Sequence, residues 1–186
     1  MEVRLSDIDY DKSDRDIDLP YQQVNHLKIL SHTVYTGENI SIEGNLAWQN
    51  NLRSEYSEPV SHGYMLRPEN SKERSFNKHT ASANMAALWQ VHPKHSIHLG
   101  VNFEMQHNRR GGWGFIMPDY EHYTAGVFAM EKWTVSNTFS LNAGIRYDYA
   151  HTHIHSYRDW FPTPTESGME YLFRSTGQRR NFHSFT

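Results

Sequence analysis

Thr138-Phe139-Ser140-Leu141-Asn142-Ala143-Gly144-Ile145-Arg146-Tyr147-Asp148-Tyr149 decides how the rest of the chain is read. Every odd position from Phe139 to Tyr149 is apolar or aromatic, and every even position from Thr138 to Asp148 is polar, charged or glycine. That is the period of a β-strand with one apolar face, and a helix does not sort these residues. The preceding stretch, Tyr123 to Trp133, also reads as a strand. The break Thr134-Val135-Ser136-Asn137 has the length of a hairpin loop, so the two segments predict a hairpin.

The aromatic residues give this hairpin a dimension. Tyr123 and Trp133 share a face about ten residues apart, or about 33 Å along a strand. Tilted by roughly 40°, they stand about 25 Å apart along a barrel axis, the height of the apolar band between the aromatic girdles of an outer-membrane barrel. Phe139 and Tyr149 repeat the spacing in the partner strand. A soluble barrel or sandwich alternates as cleanly, so the hairpin alone leaves both readings open.

Composition narrows the classes. The 186 residues suffice for one domain, and 37 % hydrophobic residues with a mean hydropathy of -0.77 resemble a soluble protein. No window holds the 18 or so consecutive apolar residues of a membrane helix, but a transmembrane barrel needs none, because half of each strand faces a polar lumen. The net charge of -3 points away from nucleic acid. Cysteine is absent, which removes disulfides, thiolate metal sites and cysteine nucleophiles. The start, Met1-Glu2-Val3-Arg4-Leu5-Ser6-Asp7, has no apolar export-signal core, so the chain is expected to be either cytosolic or a piece of something longer.

Taken in order, residues 1–23 read as an acidic loop segment. Asp7, Asp9, Asp11 and Asp18 imitate the spacing of a calcium loop, but Lys12 stands where the sharp turn needs glycine, and a solvated loop is the plainer reading. Residues 24–150 read as antiparallel strands with long loops. A hairpin turns at Thr36-Gly37-Glu38-Asn39, a second at His92-Pro93-Lys94-His95, and Ile97, Leu99, Val101, Phe103 and Met105 alternate strictly with polar neighbours. Polar excursions interrupt at 51–75 and 108–118. Residues 151–180 are expected to form a further extracellular loop, and 181–186 the start of a truncated strand.

The pattern is an all-β antiparallel meander of about six long strands, with tight turns at one end and long loops at the other. That asymmetry, and strands of ten or more residues, belong to outer-membrane barrels. Six strands do not close such a barrel, the smallest having eight, and an open sheet in lipid leaves two edges of unpaired backbone groups. A section of a larger barrel is therefore expected.

Gly112-Trp113-Gly114-Phe115-Ile116-Met117-Pro118-Asp119-Tyr120, Ala125-Gly126-Val127-Phe128-Ala129 and Gly144-Ile145-Arg146-Tyr147-Asp148 resemble the barrel of TonB-dependent outer-membrane receptors, especially those of Bacteroides-like bacteria. Gln49-Asn50-Asn51-Leu52-Arg53-Ser54-Glu55 is similar to the same family, and the resemblance covers most of residues 20–150. It implies a section of a 22-stranded transmembrane barrel in the cell outer membrane. The implied function is binding and import of a scarce nutrient, foremost a ferric siderophore or other iron complex, with energy from TonB acting through a plug region not seen here. The implied partners are outer-membrane lipid, the nutrient and TonB, with no nucleic acid, no cofactor and no catalysed reaction. A soluble β-rich binding module of carbohydrate-binding type is the competing reading.

Two groups of residues carry candidate chemistry. Trp113, Phe115, Trp160 and Phe161 lie in expected loops, where they can stack on an aromatic siderophore or a sugar, or anchor at the interface. His151, His153 and His155 put three imidazoles on one side of an extended segment, a spacing compatible with zinc, copper or haem, beside the plainer reading of a hydrated loop with incidental histidines. Glu43, Glu104, Lys132, Arg146 and Asp148 fall on polar strand faces, where charges lining a wet lumen explain them. No nucleophile elbow, phosphate loop or zinc-protease motif occurs.

Overall fold

A computed structural model describes residues 17–186. Asp7, Asp9 and Asp11 of the calcium-like spacing lie outside the described residues. Seven long strands form one antiparallel sheet in the order β1-β2-β3-β4-β5-β6-β9. They are β1 (Tyr21–Thr36), β2 (Ile40–Tyr56), β3 (Lys72–His92), β4 (His95–Gly111), β5 (Tyr120–Ser136), β6 (Phe139–Arg158) and β9 (Phe173–Phe185). Two short strands, β7 (Thr163–Thr165) and β8 (Gly168–Glu170), pair with each other in the last loop. Each long strand neighbours its successor, so the sheet is a meander, as the sequence predicts.

Strand boundaries differ from expectation at the chain's end. β6 runs on through His151–Arg158 and β9 begins at Phe173, so the loop expected over 151–180 narrows to 159–172 and the strand expected at 181 starts earlier. The hydrophobic alternation stops near Tyr149 because both faces become polar beyond it, while the backbone ladder continues. The β5–β6 turn is also tighter than expected, with Asn137-Thr138 alone between the strands. The turns at Gly37 and Pro93 fall where the sequence puts them, and Gly37 donates its N–H to the carbonyl of Ile40 at 2.8 Å.

Pairing fixes which residues share a face. The row Trp89–Ile97–Glu131–Ala143 and the row Trp48–Ala81–Met105–Tyr123–His151 both lie on the side that carries the odd positions of β3 to β6. This side holds Ile29, Leu46, Met85, Leu99, Val101, Val127, Leu141 and Ile145, and none of the described residues covers them: Val127 is 50 % exposed and Ile145 65 %. Met65 and Pro68, both in the β2–β3 loop, are the buried apolar residues larger than glycine among the described residues, so these show no second layer and no enclosed core. The rows also climb relative to the turns. One row meets β1 at Tyr35, beside its turn, but meets β5 at Ala129, midway along that strand. Such stagger is the shear of strands tilted around a barrel axis.

The opposite face is polar and locally well bonded. Arg146 donates from Nε to Asp148 Oδ2 at 2.5 Å and from an η-nitrogen to Asn102 Oδ1 at 3.1 Å. This cluster lies over Gly126, where a Cβ would come 2.2 Å from Asp148 Oδ1 and 2.5 Å from Asn102 Oδ1. Among the described residues the sheet ends at β1 and β9, each with one ladder edge unpaired, whereas backbone groups in hydrocarbon need partners. An uncovered apolar face, staggered rows and open edges together describe a section of a transmembrane β-barrel wall.

Candidate functional site at the loop end of the sheet

The long connections gather beyond the strands, opposite the tight turns, and bring distant residues together. After β4, Gly112 takes φ +82°, a conformation that favours glycine, and a Cβ there would meet the Glu73 carbonyl oxygen at 2.4 Å. This close approach lets Gly114 donate its N–H to the same oxygen at 2.7 Å and lays residues 112–114 along the start of β3. Arg110 then holds the loop from inside, donating to the carbonyls of Gly112 at 2.9 Å and Gly114 at 2.8 Å.

All four expected loop aromatics are at this end. Trp113 donates its indole N–H to the Asn70 carbonyl at 3.1 Å, and Trp160 donates to the Trp113 carbonyl at 3.0 Å. Phe161 packs edge-on against Trp160 at 5.4 Å. Phe115 stacks on Tyr157, with ring centroids 4.6 Å apart and planes 2° from parallel, and the Arg110 guanidinium lies 4.1 Å from the Tyr157 ring centre. Between the loops is an open cavity of about 470 Å³ whose lining includes Lys72, Arg110, Trp113, Tyr157, Arg158 and Trp160, with Glu69 as its one carboxylate. Three cations against one carboxylate, with two indole rings at the border, leave the cavity net positive and suited to an anionic, planar ligand. Sequence reading missed Arg110, Tyr157, Lys72 and Arg158. The register supplies the link, since Tyr120 pairs with Ile154 and His155 donates its backbone N–H to the Asp119 carbonyl at 2.9 Å.

The histidine triplet is divided. His151, His153 and His155 share the parity of Tyr147 and Tyr149, so they continue the apolar side of the wall beyond its aromatic ring and do not face the polar side. His151 Nδ1 is 2.6 Å from Asn181 Oδ1. The His153 and His155 rings lie 4.2 Å apart between centroids, tilted by 37°, and Glu121 on β5, directly opposite His153, completes a trio whose ligand atoms all lie within 4.8 Å of one another. The His153 pKa is held below the ordinary imidazole value, first by desolvation and next by the positive charge of Arg179 across on β9, with Glu121 opposing. His155 Nε2 is buried without a hydrogen-bond partner, 3.5 Å from Glu121 Oε1, and Arg109 reaches the same carboxylate at 3.6 Å.

The fold thus defines a wall segment of an outer-membrane-type β-barrel that carries long loops at one end. The family model described as "TonB dependent receptor-like, beta-barrel" matches residues 4–182, and the chain belongs to that family. No curated protein and no solved structure matches the chain. The family is one of outer-membrane receptors and transporters for nutrients, and not a family of enzymes.

Proposed function

We propose that this chain forms part of the barrel wall and the ligand-gathering mouth of a receptor in the cell outer membrane, and that the nutrient imported is a ferric siderophore or other iron complex. The loop cradle carries the reading. Lys72, Arg110 and Arg158 offer positive charge to an anionic chelate, with Glu69 the one carboxylate beside them, while Trp113 and Trp160 border the cavity with rings for its planar groups and the Phe115–Tyr157 stack backs Arg110. Phe161 props Trp160 from the side. Lipid would cover the apolar face, and TonB would supply energy through the plug region of the whole receptor. No reaction is catalysed.

The soluble binding-module reading is disfavoured by the same coordinates. Such a module has to pack its apolar faces together, whereas Leu99, Val101, Val127 and Leu141 lie uncovered on one side of a single sheet.

Uptake of radiolabelled ferric chelates by cells carrying the whole receptor, with and without a collapsed proton gradient, tests the proposal. Saturable, gradient-dependent uptake of at least one anionic iron chelate is expected, with loss in an Arg110→Ala, Trp160→Ala double variant. Normal uptake in that variant, or a receptor that binds no iron chelate, would overturn it.

A further inference from the structure

We propose that Glu121, His153 and His155 form a binding site for a divalent transition metal of the zinc class, a clasp joining β5 to β6 on the outer surface of the wall beyond its aromatic ring. The donors come from facing strands in fixed register: Glu121 pairs with His153, and His155 is the next residue on the same side of β6. Two imidazoles and a carboxylate suit zinc and its neighbours, and two nitrogen donors disfavour calcium or magnesium. An ion about 2.0–2.2 Å from each donor needs donors about 3.3 Å apart, so the observed trio, within 4.8 Å, has to draw together by about 1.5 Å at most.

A second observation points to the same place. His155 Nε2 is shielded from solvent yet makes no hydrogen bond, although Glu121 Oε1 is only 3.5 Å away. A buried ring nitrogen without a partner is costly, and a metal ion between it and the carboxylate satisfies both. Water or a lipid headgroup oxygen would fill the remaining position.

The face determines what the ion does. Glu121 lies two residues beyond Tyr123 on the side that carries Val127 and Trp133, so the site is outside the lumen and off the path of any imported ligand. Its metal is a staple and not cargo. Arg109 competes for Glu121, and Arg179 opposite His153 adds positive charge, so affinity is set against two guanidinium groups.

Titration of zinc chloride into the whole receptor in detergent, after chelator treatment, tests this site. One ion per chain is expected, with affinity weakened at least about tenfold in His153→Ala, His155→Ala and Glu121→Gln. His151→Ala is expected to bind zinc as the parent does, and Arg109→Ala to bind it more tightly. Heat-modifiable migration on gels confirms that each variant is folded, and cobalt substituted for zinc reports nitrogen ligation through its visible absorption. Unchanged zinc affinity in the His153→Ala and His155→Ala variants, or equal loss in His151→Ala, would overturn the assignment and leave Glu121 and His155 as an ion pair only.

Discussion

Gly126 on β5 lies directly opposite Asp148 on β6, and a single carbon added to it would fall 2.2 Å from the Asp148 carboxylate. The glycine makes room for Arg146, Asp148 and Asn102 to bond across three strands on the polar side of the wall. Gly126→Val is therefore expected to push this cluster apart and to destabilise the barrel by about 1–3 kcal/mol, as overpacking does. Gly44 is the control, since nothing lies within 4 Å of a Cβ built there, and Gly44→Val should be close to neutral. Thermal unfolding of both variants, followed by heat-modifiable migration, makes the comparison. Equal losses would mean that the cluster over Gly126 does not set the stability.

Arg110 orders the mouth through two carbonyl hydrogen bonds and its contact with Tyr157. Removing a charged hydrogen-bonding partner costs about 1.5–3 kcal/mol, so Arg110→Ala should weaken chelate binding by about tenfold or more. Arg110→Lys keeps the charge but not the planar fork that spans Gly112 and Gly114, and should recover only part of the loss. Tryptophan fluorescence quenching by bound ligand reads the effect directly, because Trp113 and Trp160 border the cavity.

The loop end should also respond to acid. His153 has its pKa below the ordinary value of about 6.5, which means that the folded wall holds this proton less tightly than the unfolded chain. Stability contributed here is present above about pH 6.5 and is lost as pH falls below it. In the presence of chelator, the unfolding temperature should drop between about pH 7 and pH 5, and His153→Asn should flatten part of that drop. An identical pH profile in the variant would remove His153 as the source.

Legibility followed chemistry along each strand. Ile97 to Met105 and Phe139 to Tyr149 alternate because one side must be apolar, and these strands and their turns were readable from the chain alone. Residues 151–158 read as loop because polar side chains on both faces erase the period of two, although the ladder to β9 continues. The cradle was half legible. Aromatic residues in loops draw attention to Trp113, Phe115, Trp160 and Phe161, but Arg110 and Tyr157 meet only through the β4–β5–β6 register and the docking of 112–114 on β3. The histidine triplet had the right residue type with an incomplete donor set. Glu121 is distant in sequence, and the strand pairing brings it opposite His153.

The absence of cysteine from the chain allows the sidedness of the wall to be measured position by position. Single cysteines at Ile97, Leu99, Val101 and Phe103, and at His98, Asn102 and Glu104, carry spin labels in the whole receptor reconstituted in lipid. Labels at the odd positions should be relaxed by oxygen dissolved in the bilayer, and labels at the even positions by a water-soluble nickel chelate, in strict alternation along β4. Odd positions shielded from both reagents, as in a sealed protein core, or both parities open to nickel, would contradict a wall with one side in hydrocarbon and the other in water.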